Sequence, residues 1–328
     1  MTRCPRRERY LARPAARRAA DSGEGGVSWA TSRTEHAGCE GGAAADTAHM
    51  VPWPAMPAAA GNGDVTAVVA CFNYGRFLPE AVNSLLGQAG GPPRVIVVDD
   101  GSTDPGTLTA LDGLPPEVEV IRQPNQGVCA ARNAGLARVE TEYALVLDAD
   151  DRLAEGALAA MRDPLERRPE LGFAYGFMRF FGDWDGLLTF PPYDPYKLLY
   201  RHTIGLTCLM RRALVRDTGG FDPEFEQFED WELWVNALRH GWQGERVESV
   251  TLEYRRHGDT KLAADRARYR RAFRRLRQKH AALYRDRARL ARQSDLSALG
   301  RLYYQAFWGW RPLPGAVERR LHRLRWGT

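Results

Sequence analysis

Hydrophobic residues fall into a regular order from Asp64 to about residue 151. Val65-Thr-Ala-Val-Val-Ala-Cys71 is an apolar run between polar residues, which predicts a buried strand. After the Asn73-Tyr-Gly75 turn, Leu78, Val82, Leu85 and Leu86 recur at helical spacing, with Pro79 where a first helical turn tolerates it. Arg94–Asp99 reads as a second buried strand, Asp100–Asp104 as a loop and Thr107–Leu114 as a helix. Val118–Ile121 is a third strand, Asn125-Gln-Gly127 a turn and Val128–Arg138 a helix. Tyr143–Leu147 is a fourth strand that runs into Asp148-Ala-Asp150-Asp151. Strands and helices alternating over short links predict an α/β fold with a largely parallel sheet. Ligands of such sheets bind beyond the carboxyl ends of the strands. The conspicuous polar clusters all sit there.

Beyond residue 151 the alternation weakens. The pattern predicts a helix over Leu158–Arg168, an aromatic strand over Phe173–Phe181 and a long loop over 183–196. A short strand follows at Leu206–Met210. Phe228–His240 is a helix with Phe228, Trp231, Trp234, Val235 and Leu238 on one side. From about Leu262 the chain turns helical, with a stripe of Tyr269, Phe273, Leu276 and Leu283 among arginines. An aromatic stretch, Leu296–Trp310, and a basic amphipathic segment, Val317–Trp326, close it. Residues 1–63 show neither period and are rich in Ala, Gly, Arg and Pro, so they read as a disordered extension. The division is therefore 1–63, 64–262 and a helical tail over 263–328.

Composition adds limits. The chain has 328 residues, 44% hydrophobic and 27% charged, as in globular proteins. No apolar run is long enough to span a membrane, and no apolar core follows the N-terminal charges as in a secretory signal. The five cysteines form no C-x-x-C pair, which argues against a disulfide framework or zinc site and for a reducing cytoplasm. The net charge of +5 conceals an asymmetry. Residues 263–328 hold 18 Lys and Arg against 4 acids, and 1–63 hold 8 Arg against 6, leaving 64–262 eleven charges negative. An acidic body does not fit a nucleic-acid-binding core, so no nucleic acid is expected as a partner. Lys occurs only at 197, 261 and 279.

Asp148-Ala-Asp150 places two carboxylates one residue apart at a strand end. Hard oxygen ligands of this kind suit Mg2+ or Mn2+ together with substrate phosphates; a solvated acidic loop is the plainer reading of the spacing alone. Asp99 and Asp100 close the second strand, and buried strands rarely end in paired carboxylates without something to bind. Asn125–Gly135 offers helix N-terminal amides to an anion, and Arg132 adds a fork suited to phosphate. Glu229 and Asp230 open a helix, where acids also serve as ordinary capping chemistry. Trp231 and Trp234 can be sugar platforms, but their helical spacing favours core packing for at least one.

Cys71-Phe-Asn73-Tyr, Val97-Val-Asp-Asp-Gly-Ser-Thr-Asp104, Asn125–Gly135, Leu147-Asp-Ala-Asp-Asp151, Gly219-Gly-Phe-Asp222 and Glu229-Asp-Trp231 resemble, in this order, the motifs of family 2 glycosyltransferases. The resemblance spans about residues 65–260. It implies a GT-A fold, with a Rossmann-like, mostly parallel sheet flanked by helices. It also implies a nucleotide-sugar donor (a UDP-sugar by default), a divalent metal (Mg2+ or Mn2+) and an inverting mechanism. The roles it implies are nucleotide-pocket lining for Cys71 and Asn73, and base binding for Asp99 with Asp100 close by. Arg132 is expected near the donor phosphates, Asp148 on the ribose or metal, and Asp150 as main metal ligand. Asp230 is expected as general base, with Glu229 beside it. Tyr254-Arg-Arg256-His257 resembles a motif whose Arg or His approaches the diphosphate, and a structural His257 is the alternative. The Gln-x-x-Arg-Trp motif and membrane helices of processive synthases are missing, which points to single additions. The expected acceptor is a glycan or lipid-linked hydroxyl, reached in the cytoplasm or peripherally at the inner membrane face. The tail either contacts that membrane or packs its aromatic stripe on the acidic body. A decayed scaffold would have lost carboxylates that are all present here. A sugar nucleotidyltransferase needs a basic glycine-rich loop, and Cys71–Gly75 is not one.

Overall fold

The computed structural model describes residues 62–225, 227–257 and 266–310. The expectations for residues 1–61 and for Val317–Trp326 lie outside the described residues. The elements, in order, begin with β1 (Val65–Cys71), α1 (Leu78–Leu86), β2 (Arg94–Asp99), α2 (Pro105–Asp112), β3 (Glu119–Arg122) and α3 (Val128–Leu136). They continue through β4 (Tyr143–Asp148), β5 (Arg152–Leu153), α4 (Ala157–Arg167), β6 (Leu171–Gly182), β7 (Gly186–Leu188) and α5 (Pro195–Leu198). Next come β8 (Leu209–Arg211), α6 (Arg212–Thr218), α7 (Glu229–Arg239) and β9 (Gln243–Arg256). The tail forms α8 (Arg266–Lys279), α9 (Ala281–Arg285), α10 (Arg287–Gln293), α11 (Ala298–Tyr304) and a π-helical turn over Gln305–Trp310.

One sheet runs in the order β3-β2-β1-β4-β8-β6-β9-β5, with β7 paired to β6. β3, β2, β1 and β4 are parallel, and the buried apolar runs of β1, β2 and β4 are what a sheet covered on both faces requires. β8 lies antiparallel between β4 and β6, and β9 pairs with β6 in parallel. Side chains alternate between two cores. Ala67, Val69, Val97 and Leu145 meet α1, α2 and α4 on one face. Val68, Val98 and Val146 meet α3, α7 and the tail helices on the other. Gly135 permits the close approach of α3 to β1, since a Cβ there would fall 2.2 Å from Val68 Cγ1.

The first four strands lie where the sequence places them, within a residue or so at each end. Three corrections follow further along. β9 has no counterpart among the predicted strands. Its flanks carry Glu245, Arg246, Glu248 and Arg255, and this polarity hides the alternation of Val250, Leu252 and Tyr254. The short strand β8 starts three residues later than predicted. The loop over 183–196 contains β7, and the single-turn α5 begins at its end.

The tail stripe is buried. Tyr269 and Phe273 of α8 stack on Trp231 of α7, with centroids 5.3 and 6.2 Å away. Lys279 and His280 both reach Glu232 Oε1 at 2.8 Å, with His280 and Glu232 wholly buried. Lys279 also pairs with Asp222 at 2.6 Å, and Arg275 with Glu224 at 2.6 Å. Over residues 269–309 the structure thus matches the packing alternative, with basic residues pairing to acids of the body.

Candidate active site

The register of the parallel strands gathers the site. Cys71 pairs with Asp99 and Ala70 with Asp148, so three strand ends lie abreast. Cys71 itself is buried, and burial pushes its thiol up to about 11, so it stays a neutral packing group. Its backbone O accepts from Asp100 N at 2.9 Å. Asn73 sits in the left-handed region at φ 57°. Its Oδ1 accepts from the N–H groups of Thr103 and Asp104, 2.9 Å each, which ties the loop after β1 to the loop after β2. Phe72 and Tyr74 on either side of it are exposed.

Asp99 and Asp100 point to different tasks. Asp99 is buried, and its Oδ1 accepts from Ser102 N at 2.9 Å. Asp100 accepts from Gln123 Nε2 at 2.8 Å, Gln126 N at 2.9 Å and Gly127 N at 2.8 Å. Its carboxylate therefore caps the turn that opens α3. The amides expected to greet a ligand anion there are partly satisfied from within the chain.

Arg132 is likewise held by partners within the chain. Its side chain is 4% exposed, and its fork is spent on two carboxylates, Asp148 Oδ1 and Glu229 Oε1, each at 2.7 Å. Burial works against its charge, but these two partners hold the guanidinium above its ordinary range. Arg132 thus bridges the β4 end to the start of α7, with each terminal nitrogen engaged by a carboxylate. Asn133, the next residue of α3, clasps the backbone of Phe221 through both amide atoms, at 2.7 and 2.8 Å. The Gly219–Asp222 segment is held to α3 by this clasp.

Asp148, Asp150 and Asp151 each present a carboxylate oxygen, all within 4.8 Å of one another. Burial, then the Asp148 charge, raises Asp150; burial and both neighbours raise Asp151 well above the usual range. Asp151 Oδ1 accepts from Arg255 N at 2.9 Å, and Arg255 Nε donates to Asp150 O at 2.8 Å. His257 Nε2 lies 3.0 Å from Asp150 Oδ2. Its ring packs against Phe77 and Tyr74, at centroid distances of 4.6 and 5.7 Å. The motif Tyr254–His257 thus arrives on β9, directly over the Asp148–Asp151 turn.

At the other side, Phe228 (φ 63°) turns the chain into α7 and presents Glu229 and Asp230 in its first turn. Burial, then the Asp230 charge, raises Glu229, against Arg132. Burial raises Asp230, but His202, Arg132 and the Trp231 N–H together outweigh it and hold the carboxyl below the usual range. His202 Nε2 lies 2.9 Å from Asp230 Oδ2. His202, in the link between α5 and β8, has no local pattern that marks it, and sequence reasoning missed it. Trp231 and Trp234 are wholly buried, with indole N–H groups donated to Leu198 O and Gly205 O. Both belong to the core, so neither is a sugar platform.

Residues 66–213 match the family model described as Glycosyl transferase family 2. The chain is 30% identical over 214 residues to the pre-mycofactocin glycosyltransferase of Mycobacterium tuberculosis, covering 58% of this chain and 42% of that one. It is 30% identical over 201 residues to the succinoglycan biosynthesis protein ExoO of Rhizobium meliloti, covering 54% and 56%. To the putative teichuronic acid biosynthesis glycosyltransferase TuaG of Bacillus subtilis it is 27% identical over 199 residues, covering 58% and 78%. The chain spans about half the length of the first two relatives. The crystal structure of S. aureus TarS 1–349 in complex with UDP-GlcNAc resembles it with a TM-score of 0.55 at 19% identity, covering 74% and 71%. That likeness concerns the fold, which is of GT-A type. Three abreast strand ends carry its acidic motifs, and the segment that holds them, residues 66–213, is a glycosyl transferase family 2 domain by its match to the family model.

Proposed function

We propose that this protein transfers a sugar from a nucleoside-diphosphate donor to an acceptor hydroxyl, inverting the anomeric carbon. The observation that carries the reading is the Arg132 bridge. It joins Asp148, in the acidic turn suited to a donor's metal and phosphates, to Glu229, next to a carboxylate suited to an acceptor's proton. UDP is the first nucleotide to test, because the TarS crystal structure holds UDP-GlcNAc. Asp99 and the backbone near Cys71 and Asn73 would line the base, with Asp100 shaping the turn beside it.

The acidic turn fits a hard divalent cation on the chemistry of its donors. Its carboxylates crowd within 4.8 Å, and burial and mutual repulsion raise two of them. Asp150 and Asp148 would hold Mg2+ or Mn2+, with His257 beside Asp150. Such an ion, when bound, supplies Lewis-acid stabilisation of the leaving diphosphate's charge. Asp230 takes the acceptor's hydroxyl proton as the oxygen attacks the anomeric carbon from the face opposite the leaving group. Positioned general bases contribute about 10²–10⁴-fold.

The acceptor would be a glycan or lipid-linked hydroxyl. No helix among the described residues is long and apolar enough to cross a membrane. Contact with a membrane's inner face would be peripheral, through the exposed arginines of α8, such as Arg271 and Arg274, and residues beyond 310. The test is nucleotide release from UDP-, GDP- and dTDP-sugars with Mn2+, for the wild type and D230N. One donor should be turned over, and D230N should bind it equally while turnover falls by orders of magnitude. Wild-type turnover in D230N would overturn the role of Asp230.

A further inference from the structure

The carboxylate assigned to proton abstraction is not alone. Asp230 Oδ1 accepts its own helix's Trp231 N at 2.8 Å, and Oδ2 faces His202 Nε2 at 2.9 Å. The imidazole is fixed from two sides, stacked on Trp231 at 6.2 Å and met edge-on by Phe228 at 5.9 Å. The His202 side chain is 27% exposed and that of Asp230 13%, so the pair lies at the boundary between core and solvent. Nε2 has no aligned hydrogen bond in spite of the short distance. The backbone of Ile204 lies against the ring and, like Asp230, favours its protonated form.

We propose that His202 and Asp230 work as one proton acceptor, with His202 a positioning residue that acts through Asp230 and stores the proton. This rests on the reading of Asp230 as the general base. The acceptor's O–H bond breaks and its proton passes to Asp230. The acceptor oxygen bonds to the anomeric carbon, and that carbon's bond to the phosphate oxygen breaks, its electron pair leaving with the nucleoside diphosphate. The proton crosses from Asp230 Oδ2 to His202 Nε2 and is lost to solvent once the product departs. Three facts support the pairing beyond the distance. Asp230 is held below its usual range with His202 as its chief partner, and a carboxylate so lowered is by itself a poor proton acceptor near neutrality, which leaves the ring as the stronger base of the two. Burial alone would lower His202, yet the adjoining Asp230 lifts it above its ordinary value, with Glu229 helping. The other charged or titratable neighbours do not compete for the proton. Arg132 of α3 lowers Asp230 further, and the buried thiol of Cys208 is raised well above its usual range and stays neutral.

The sign of the pH dependence follows. The relay needs a neutral His202 at the outset, so turnover is lost as pH falls through the apparent pKa of the pair, which titrates as a unit. That acid limb lies above the ordinary imidazole value because the folded pair favours the protonated ring. The decisive variant is H202Q in the full chain, whose amide nitrogen replaces Nε2 but cannot take up a proton. UDP release from UDP-GlcNAc, or from whichever donor the screen identifies, is followed from pH 4 to 9. The expected result is an acid limb displaced downward into the carboxylate range and a plateau kcat reduced by roughly tenfold or more. The donor KM should stay within about twofold. A merely structural histidine would leave the acid limb in place, and an acid limb in H202Q identical to the wild type overturns the pair. H202N serves the same readout if circular dichroism shows H202Q unfolded. D230N separates the two ideas. If it keeps full turnover, the base assignment fails. If it is inactive while H202Q keeps the wild-type limb, only the relay fails.

Discussion

Arg132→Met isolates the bridge at the centre of the site. The wild-type guanidinium makes two charge-assisted bonds of 2.7 Å, to Asp148 and Glu229, from a side chain that is 4% exposed. Met fills similar volume and removes both. Breaking a buried ion pair from one side costs about 3–5 kcal/mol, because the partner charge is stranded. The partners here are not equally buried. Asp148 is 33% exposed and can be rehydrated, whereas Glu229 is 16% exposed. The lower end, about 3 kcal/mol, is therefore expected. For a body of this size that lowers the Tm by roughly 6–12 °C. The pH dependence discriminates the cause. A carboxyl whose pKa folding raises opposes folding when ionised; that cost is absent below its unfolded pKa and complete above its folded one. Glu229 is already raised by burial, and Arg132 is what restrains it. The destabilisation should therefore be largest at pH 7–8 and shrink as pH falls through the carboxylate range. Thermal unfolding by circular dichroism at pH 4, 5.5 and 7.5 measures this. A loss below about 1 kcal/mol at pH 7.5, or one that grows toward acid, would refute the account of Arg132 as a charge bridge.

Other expectations follow from the same geometry. Asp150→Ala should abolish metal-dependent transfer and the thermal shift given by Mn2+. Without metal it should leave the Tm unchanged or slightly raised, since burial and Asp148 make the Asp150 charge unfavourable. Asp100→Ala removes three accepted bonds at the start of α3 and should cost about 2 kcal/mol while UDP affinity persists. Lost UDP affinity at unchanged stability would instead place Asp100 on the nucleotide. A chain ending at Leu262 should aggregate, because Trp231 loses its cover from Tyr269 and Phe273. In flotation with anionic vesicles, salt-sensitive binding of the full chain supports the peripheral contact proposed for the tail, and its absence at low salt counts against it.

What could be read from the chain divides along the sheet. β1, β2 and β4 are buried on both faces, so they appear as continuous apolar runs, and the acids that end them stand out. β9 is only half-buried, and its Glu and Arg residues obscure a period of two that survives at Val250, Leu252 and Tyr254. Residue types at the site were legible where partners were not. Arg132 has the chemistry of a phosphate ligand in isolation, and only the folded chain shows it bound to Asp148 and Glu229. His202 left no signal, because its significance comes from a contact with Asp230, which lies beyond a strand and a helix. The fate of the Arg-rich tail was undecidable from pattern alone, since an aromatic stripe serves a lipid surface and a protein core equally well.

The distance along the chain between Asp150 and His257 has a consequence for biosynthesis. The two residues that meet at 3.0 Å are 107 positions apart. At translation rates of about 5–20 residues per second, roughly 5–20 s separate their synthesis. During that interval the acidic turn exists without the β9 residues that close over it. The helix bearing Asp230 follows Asp150 by 80 residues, and its cover on α8 comes later still. The sheet face meant for α7 and the tail stays bare meanwhile, a client surface for chaperones. A ribosome-bound or prematurely terminated chain therefore holds the Asp148–Asp151 turn without Asp230, and the two sides that Arg132 bridges meet only late in synthesis.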